Sequence, residues 1–225
     1  MTAGAAFPPL VAKALLLDFD GVLFDTTASV DLFWRRFAED AGLPAERVLA
    51  DVHGRREVDT IRALAPDRVT SDSAYYRDRP ILPEEIEWAR EYAGAVDLLR
   101  TLPPERFAIV TSGHRALLTA RLAHFGLELP TVTVTADDVS DGKPSPAPYL
   151  LAAERLGVDA ARAVVIEDAP PGIRAGKAAG ARVIAVATTH APEELGEADR
   201  IVSDLGAMAV SALEDGSLRI TRRTP

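Results

Sequence analysis

The sequence predicts an α/β protein: a parallel sheet layered between helices, interrupted early by an inserted helical domain. Three observations lead there. Short, continuously apolar runs such as Ala14-Leu15-Leu16-Leu17, Phe107-Ala108-Ile109-Val110 and Ala163-Val164-Val165-Ile166 have the length and composition of strands buried on both faces. Helical stretches separate these runs at the spacing of right-handed βαβ units. Between Leu23 and Gly94 the alternation stops, leaving helix pattern without strand signal over a span too long for a crossover.

In order along the chain, Ala14 to Leu17 is the first strand and ends in Asp18-Phe19-Asp20-Gly21. Thr26 or Thr27 is placed to cap a helix over 28–41, which Gly42-Leu43-Pro44 stops. Further helices are expected over 46–50 and 57–65, separated by Val52-His53-Gly54-Arg55-Arg56. A loop over 66–73 precedes a long helix over 83–92, with Ile86 and Trp88 on its apolar side. A helix over 95–102 ends at Pro103-Pro104. The strand at Phe107–Val110 runs into Thr111-Ser112-Gly113, and a helix over 115–125 stops at Gly126. A short strand over 132–135 leads into a loop over 137–148 rich in Gly, Pro and Ser. Then come a helix over 149–156, the strand Ala163–Ile166 closed by Glu167-Asp168, a helix over 173–179 stopped by Gly180, and strands over 182–187 and 200–202. Residues 218–220 read either as a short edge strand or as part of a loose tail. The division is a core of residues 1–23 and 95–225 and an inserted domain of residues 24–94. The insertion leaves directly after the two aspartates and is expected to sit over them as a lid.

The 225 residues allow one large domain, or a core with a smaller insertion. A net charge of −9 argues against a general nucleic-acid or anionic-membrane surface. With no cysteine, disulfides, thiolate catalysis and cysteine-based metal centres are excluded, which fits a cytoplasmic location. The N-terminal stretch has no basic region and is interrupted by Pro8-Pro9, so a signal peptide is not expected. No apolar run approaches the roughly 18 residues of a membrane span. The expected assembly is a monomer or weak homodimer.

Four groups of polar residues fall at strand ends or adjoining loops: Asp18/Asp20, Thr111/Ser112, Lys143 and Glu167/Asp168. In a parallel sheet these ends share one edge, where ligands bind. Two crowded carboxylates repel unless they share a cation or a proton. Asp18 suits a nucleophile that attacks a phosphoryl group. Asp20 suits an acid that protonates the leaving oxygen and then deprotonates water. The Thr111 hydroxyl and the Ser112 amide suit the non-bridging phosphoryl oxygens, and Lys143 supplies positive charge to phosphate and nucleophile. Asp18 and Asp168 form a hard-oxygen pair of the kind that holds Mg²⁺. Singly, each group reads equally well as a turn, a helix cap or a solvated loop; together and in this order they point to phosphate chemistry.

The set resembles the motifs of the haloacid dehalogenase superfamily of phosphohydrolases. Asp18-Phe19-Asp20-Gly21-Val22 is similar to its first motif, Val110-Thr111-Ser112-Gly113 to the second, Gly142-Lys143-Pro144 to the third and Val165-Ile166-Glu167-Asp168-Ala169 to the fourth. The resemblance spans Lys13 to Met208. It implies a Rossmann-like three-layer core with a helical cap inserted after the first motif, Asp18 as nucleophile and Asp20 as acid/base. It also implies Mg²⁺ held by Asp18, Asp168 and the Asp20 backbone carbonyl, with Glu167 supporting the ion indirectly. An acid at Asp20, which the dehalogenase and phosphonatase branches lack, favours phosphomonoester hydrolysis or a phosphomutase. In the cap, His53-Gly54-Arg55-Arg56 with Asp59 resembles a His-Gly-x-Arg stretch of glycerol-3-phosphate and small-sugar phosphatases. His53 would bond a substrate hydroxyl, Gly54 would let backbone approach the ligand, and Arg56 would meet the substrate or bridge cap and core. Phe33, Trp34 and Phe37 stand at helical spacing as cap core, with Trp34 a candidate for the pocket wall. His114 reads as a helix cap. The expected partner is a small phosphorylated metabolite, a sugar or polyol phosphate. A phosphomutase resembling β-phosphoglucomutase and a non-catalytic phosphate binder remain the alternatives.

Overall fold

The structure, a computed structural model, describes residues 8–50, 52, 54–66 and 80–223. His53 and most of the expected loop over 66–73 lie outside the described residues.

The chain enters through β1 (Leu10–Ala12) and β2 (Ala14–Leu17), turns, and leaves through β3 (Phe24–Asp25). Among the described residues four helices follow: α1 (Thr27–Ala41), α2 (Ala45–Leu49), α3 (Glu57–Leu64) and α4 (Pro83–Glu87). The chain returns through β4 (Arg90–Glu91) and α5 (Ala95–Thr101) to β5 (Phe107–Val110), then runs α6 (Arg115–His124), β6 (Thr133–Val134), α7 (Ala147–Arg155) and β7 (Ala163–Glu167). It continues through α8 (Pro170–Ala178), β8 (Arg182–Val186) and β9 (Arg200–Val202), and ends in β10 (Met208–Ala212) and β11 (Leu218–Arg222). No described helix is long and apolar enough to cross a membrane.

Six strands form the expected parallel sheet in the order β6-β5-β2-β7-β8-β9. Its strands are apolar on both faces because both faces are covered, and alternate residues go to opposite sides. Leu15, Leu17, Ile109, Val164 and Ile166 join one apolar cluster, with Val96 of α5 and Leu118 and Leu122 of α6. Leu16, Ala108, Val110 and Val165 join the other, with Tyr149 and Ala152 of α7 and Ile173 and Ala175 of α8. From β2 the chain moves to β5 and β6 on one side; from β7 it moves to β8 and β9 on the other. β2 and β7 therefore flank the switch point, where open α/β sheets bind ligands.

The first face carries a feature absent from the sequence expectation. β1, β11 and β10 form a three-stranded antiparallel sheet that adds Met208, Leu218 and Ile220 to the first cluster. Residues 218–220 do form a strand, but as part of β11 they lie in the middle of this sheet and not at an edge.

A second difference lies in the insert. The helix expected over 83–92 stops at Glu87, and Arg90–Glu91 pairs antiparallel with Phe24–Asp25. The Tyr92 amide extends this tie by donating to the Leu23 carbonyl at 3.1 Å. Pairing between the outgoing and returning chain competes with helix propensity here and wins. Between these strands, Phe33, Trp34, Phe37, Val48, Val52 and Ile61 bury an apolar cluster of the insert's own, so the aromatic stripe is core as expected. Gly42, at φ +67°, ends α1 in the left-handed conformation that glycine adopts without strain.

Candidate active site

Asp18 follows β2 and Glu167 ends β7, adjacent strands whose register sets Leu17 beside Ile166. The two carboxylates and Asp168 thereby meet at the switch point. One ligand oxygen from each of Asp18, Glu167 and Asp168 lies within 4.8 Å of the others, and all three side chains are buried. Lys143 reaches into the group from the loop before α7. Its Nζ donates to Glu167 Oε1 at 2.6 Å and to the Val110 carbonyl at 3.2 Å, and stands 3.0 Å from Asp18 Oδ1. Burial alone would lower the lysine pKa; the charges of Asp18 and Glu167 outweigh it and raise the pKa, so Lys143 is an ammonium.

Glu167 is fully engaged. Oε1 accepts from Lys143 and from the Tyr149 hydroxyl at 2.7 Å; Oε2 accepts the amides of Asp168 at 3.0 Å and Ala169 at 3.2 Å. Burial pushes its pKa up, but Lys143 and these donors bring it net down, so Glu167 is ionised. Asp18 and Asp168 shift the other way: burial first, then neighbouring carboxylates, raise both. One ammonium thus faces three buried carboxylates. That excess of negative charge, in hard oxygen donors, fits a divalent cation held by Asp18 and Asp168, with Glu167 occupied in orienting the lysine and the backbone. Space is reserved for this cradle: a Cβ on Gly21, at φ +78°, would lie 2.1 Å from Asp168 Oδ2.

Asp20 stands apart. The chain doubles back at Gly21, whose amide donates to the Phe24 carbonyl at 2.8 Å, and this turn carries Asp20 to the insert side. Its Oδ1 accepts from Thr26 Oγ1 at 2.7 Å and from Arg121 Nη1 at 2.7 Å; Oδ2 accepts from Thr111 Oγ1 at 3.2 Å. Thr26 therefore occupies the position before α1, as expected, but its hydroxyl serves Asp20 rather than the helix amides. Thr111 Oγ1 also accepts the Gly113 amide at 3.0 Å. Asp18, Asp20, Ser112 and Gly113 face a cavity of about 70 Å³, whose far wall is built by the insert's Phe33, Trp34, Val52, Gly54, Arg55, Glu57 and Glu85.

The sequence-predicted residues of the insert divide. Gly54, at φ +74°, lines the cavity and lets backbone close on the core: a Cβ there would meet Ala169 Cβ at 3.0 Å, and its carbonyl accepts the Ser112 hydroxyl at 3.0 Å. Arg56 is buried and does not line the cavity. Its Nε and Nη2 hold Asp59 at 2.7 and 2.9 Å, while Nη1 and Nη2 donate to the carbonyls of Val139 and Ser140 at 2.7 and 2.6 Å. With four of five N–H groups engaged, it fits the bridge between insert and core and not the substrate contact that was the other expectation. His114 is more than a helix cap. It makes no cap bond, and its Nδ1 lies 2.9 Å from Asp137 Oδ1 and its Nε2 3.6 Å from Glu57 Oε2 across the insert boundary.

Four residues of this neighbourhood were missed from sequence. Tyr149 supports Glu167; Thr189 donates to Asp168 Oδ2; Ser29 and Arg121 meet beside Asp20. Arg121 had a signal: it shares the buried face of α6 with Leu118 and Leu122, where a charge is unexpected unless paired.

Comparison with known proteins points to one family. A family model described as haloacid dehalogenase-like hydrolase matches residues 12–180. Hexitol phosphatase A of Escherichia coli (strain K12) is 37% identical over 212 residues, covering 92% of this chain and 98% of its own. Glycerol-1-phosphate phosphohydrolase 2 of Saccharomyces cerevisiae is 38% identical over 199 residues, covering 83% and 80%. A crystal structure of a hydrolase from Pseudomonas syringae superposes with a TM-score of 0.70 at 24% identity, over 85% of this chain and 94% of that one, which speaks for the fold.

Proposed function

The chain belongs to the haloacid dehalogenase-like hydrolase family, and from that premise we propose that it is a Mg²⁺-dependent phosphomonoesterase for small polyol and sugar phosphates. The observation that carries this is the division of labour between two aspartates on one cavity. Asp18 lies in the charged, buried group with Lys143 and Asp168, whereas Asp20 lies outside it, held by neutral and cationic donors.

In this reading Asp18 Oδ1 is held by Lys143 and the Phe19 amide, and Oδ2 attacks phosphorus. The bond from phosphorus to the ester oxygen breaks, and Asp20 passes its proton to that oxygen, releasing the alcohol. Asp20, now a carboxylate, takes a proton from water as the water oxygen attacks the aspartyl-phosphate. The bond from Asp18 to phosphorus breaks, inorganic phosphate leaves, and both aspartates are restored. Thr111 and the Ser112 amide orient the non-bridging oxygens, and Lys143 neutralises charge that builds on them. Asp18 and Asp168, with the Asp20 carbonyl that the family resemblance adds, would hold Mg²⁺, and the ion would supply further charge neutralisation when bound.

Residues 24–94 act as a cap that selects the alcohol. The cavity of about 70 Å³ is small against the roughly 300–1,000 Å³ of pockets for larger ligands, which favours a short substrate. Trp34 and Phe33 offer an apolar wall, while Glu57, Glu85 and Arg55 offer partners for hydroxyls. The Escherichia coli and yeast relatives, named for hexitol and glycerol phosphates, support the same class.

A phosphate-release assay over hexitol, hexose, glycerol and nucleoside phosphates tests this. Polyol or sugar phosphates are hydrolysed, nucleotides are poor substrates, EDTA abolishes release and Mg²⁺ restores it. A preference for nucleotides, or release unaffected by EDTA, contradicts the reading.

A further inference from the structure

Arg121 is buried, yet its guanidinium reaches three separate segments. Nη1 donates to Asp20 Oδ1 at 2.7 Å, Nη2 to Ser29 Oγ of α1 at 2.9 Å, and Nε to the Glu85 carbonyl of α4 at 2.9 Å. The ring closes locally: Ser29 Oγ donates to the Thr26 carbonyl at 2.8 Å, and Thr26 Oγ1 donates to the same Asp20 oxygen. Asp20 is thus held asymmetrically. Both shorter bonds fall on Oδ1, while Oδ2 accepts the longer one from Thr111 Oγ1 at 3.2 Å; Asp20, Ser29 and Arg121 all line the cavity.

Two of the three contacts belong to the insert and the third to the residue proposed above as proton donor. A planar, rigid fork satisfied on three sides fixes all three together. Movement of α1 and α4 away from the core would remove two of its acceptors and leave Asp20 without its anchored geometry.

We propose that Arg121 is a positioning residue that holds the Asp20 carboxyl with Oδ2 facing the leaving oxygen only while the cap is docked, so that cap closure and alignment of the proton donor are one event. The proposal rests on Asp20 acting as the acid, and the test separates the two.

The readout is kcat/KM on two esters, glycerol phosphate and p-nitrophenyl phosphate. An alkoxide needs a proton to leave and nitrophenolate does not, so loss of a positioned acid discriminates between them. Arg121→Gln is expected to lower kcat/KM about 100-fold on the alkyl ester and less than about 5-fold on the aryl ester, in the range of lost general-acid catalysis. Arg121→Lys, which keeps the charge but not the three-way fork, and Ser29→Ala, which cuts the link to α1, show the same bias at smaller size. They carry the test if Arg121→Gln does not fold. Equal loss on both esters, or no loss, overturns the proposal. Asp20→Asn serves as reference: bias there without bias at Arg121 rejects Arg121 alone, whereas no bias at Asp20 rejects the acid role and the proposal with it.

Discussion

Gly172 marks how tightly the centre is built. It lies in α8, where alanine is favoured over glycine by roughly 1 kcal/mol on propensity. Packing opposes this: a Cβ there would stand 1.7 Å from Glu167 Oε1. Glu167 cannot yield, because its two oxygens hold Lys143, Tyr149 and two backbone amides. The clash outweighs propensity, so Gly172→Ala destabilises the protein by about 1–3 kcal/mol and lowers turnover, as measured by thermal unfolding and phosphate release. A variant more stable than the parent would contradict the described packing. At this scale the sequence was informative where a residue carries its own chemistry at a strand end or in a short motif on a loop, as Asp18 and Asp168 do in the first way and Lys143 in the second. It was silent on Tyr149, Thr189 and Ser29, whose partners lie 18, 21 and 92 residues away. A hydroxyl has no distinguishing pattern until the fold supplies its neighbour.

Between elements, the decisive contacts are those that join the insert to the core. Arg56 bonds the loop before Lys143, Ser112 bonds Gly54, and His114 of the core faces Glu57 at the start of α3 and Asp137. The Glu57 carboxylate, with Asp137 adding to it and burial opposing, raises the His114 pKa above its ordinary value. A raised folded-state pKa gives stabilisation that is fully present below the unfolded value near 6.5 and is lost as pH rises through the folded value. The wild-type melting temperature therefore contains a component that falls with rising pH above about 6.5, and His114→Gln lacks it. Identical pH profiles for the two proteins would sink this assignment. The strands of the main sheet were readable because both of their faces are apolar. β4 and the seating of β11 were harder, since each depends on a partner distant in sequence: Arg90–Glu91 against Phe24–Asp25, and β11 against β1.

For the whole molecule, topology does most to create the site. The sheet order places β2 and β7 side by side at the switch point, so that Asp18 and Asp168, far apart in sequence, share one buried cradle. The overall class, a parallel sheet with helices on both faces, was legible from periodicity, and the bridging role of Arg56 was one of its two expectations; the three-way contact of Arg121 with Asp20, Ser29 and Glu85 was not foreseen. The central claim is that Asp18 is the nucleophile, and Asp18→Asn tests it most directly. Asp18 is buried beside two other carboxylates, and burial raises its pKa, so a neutral amide relieves repulsion and the fold persists. Thermal unfolding is expected to stay cooperative while phosphate release falls by at least about a thousandfold, as loss of a nucleophile does. Release at the parental rate by folded Asp18→Asn protein, with mass spectrometry excluding reversion of the amide to aspartate, would contradict the account.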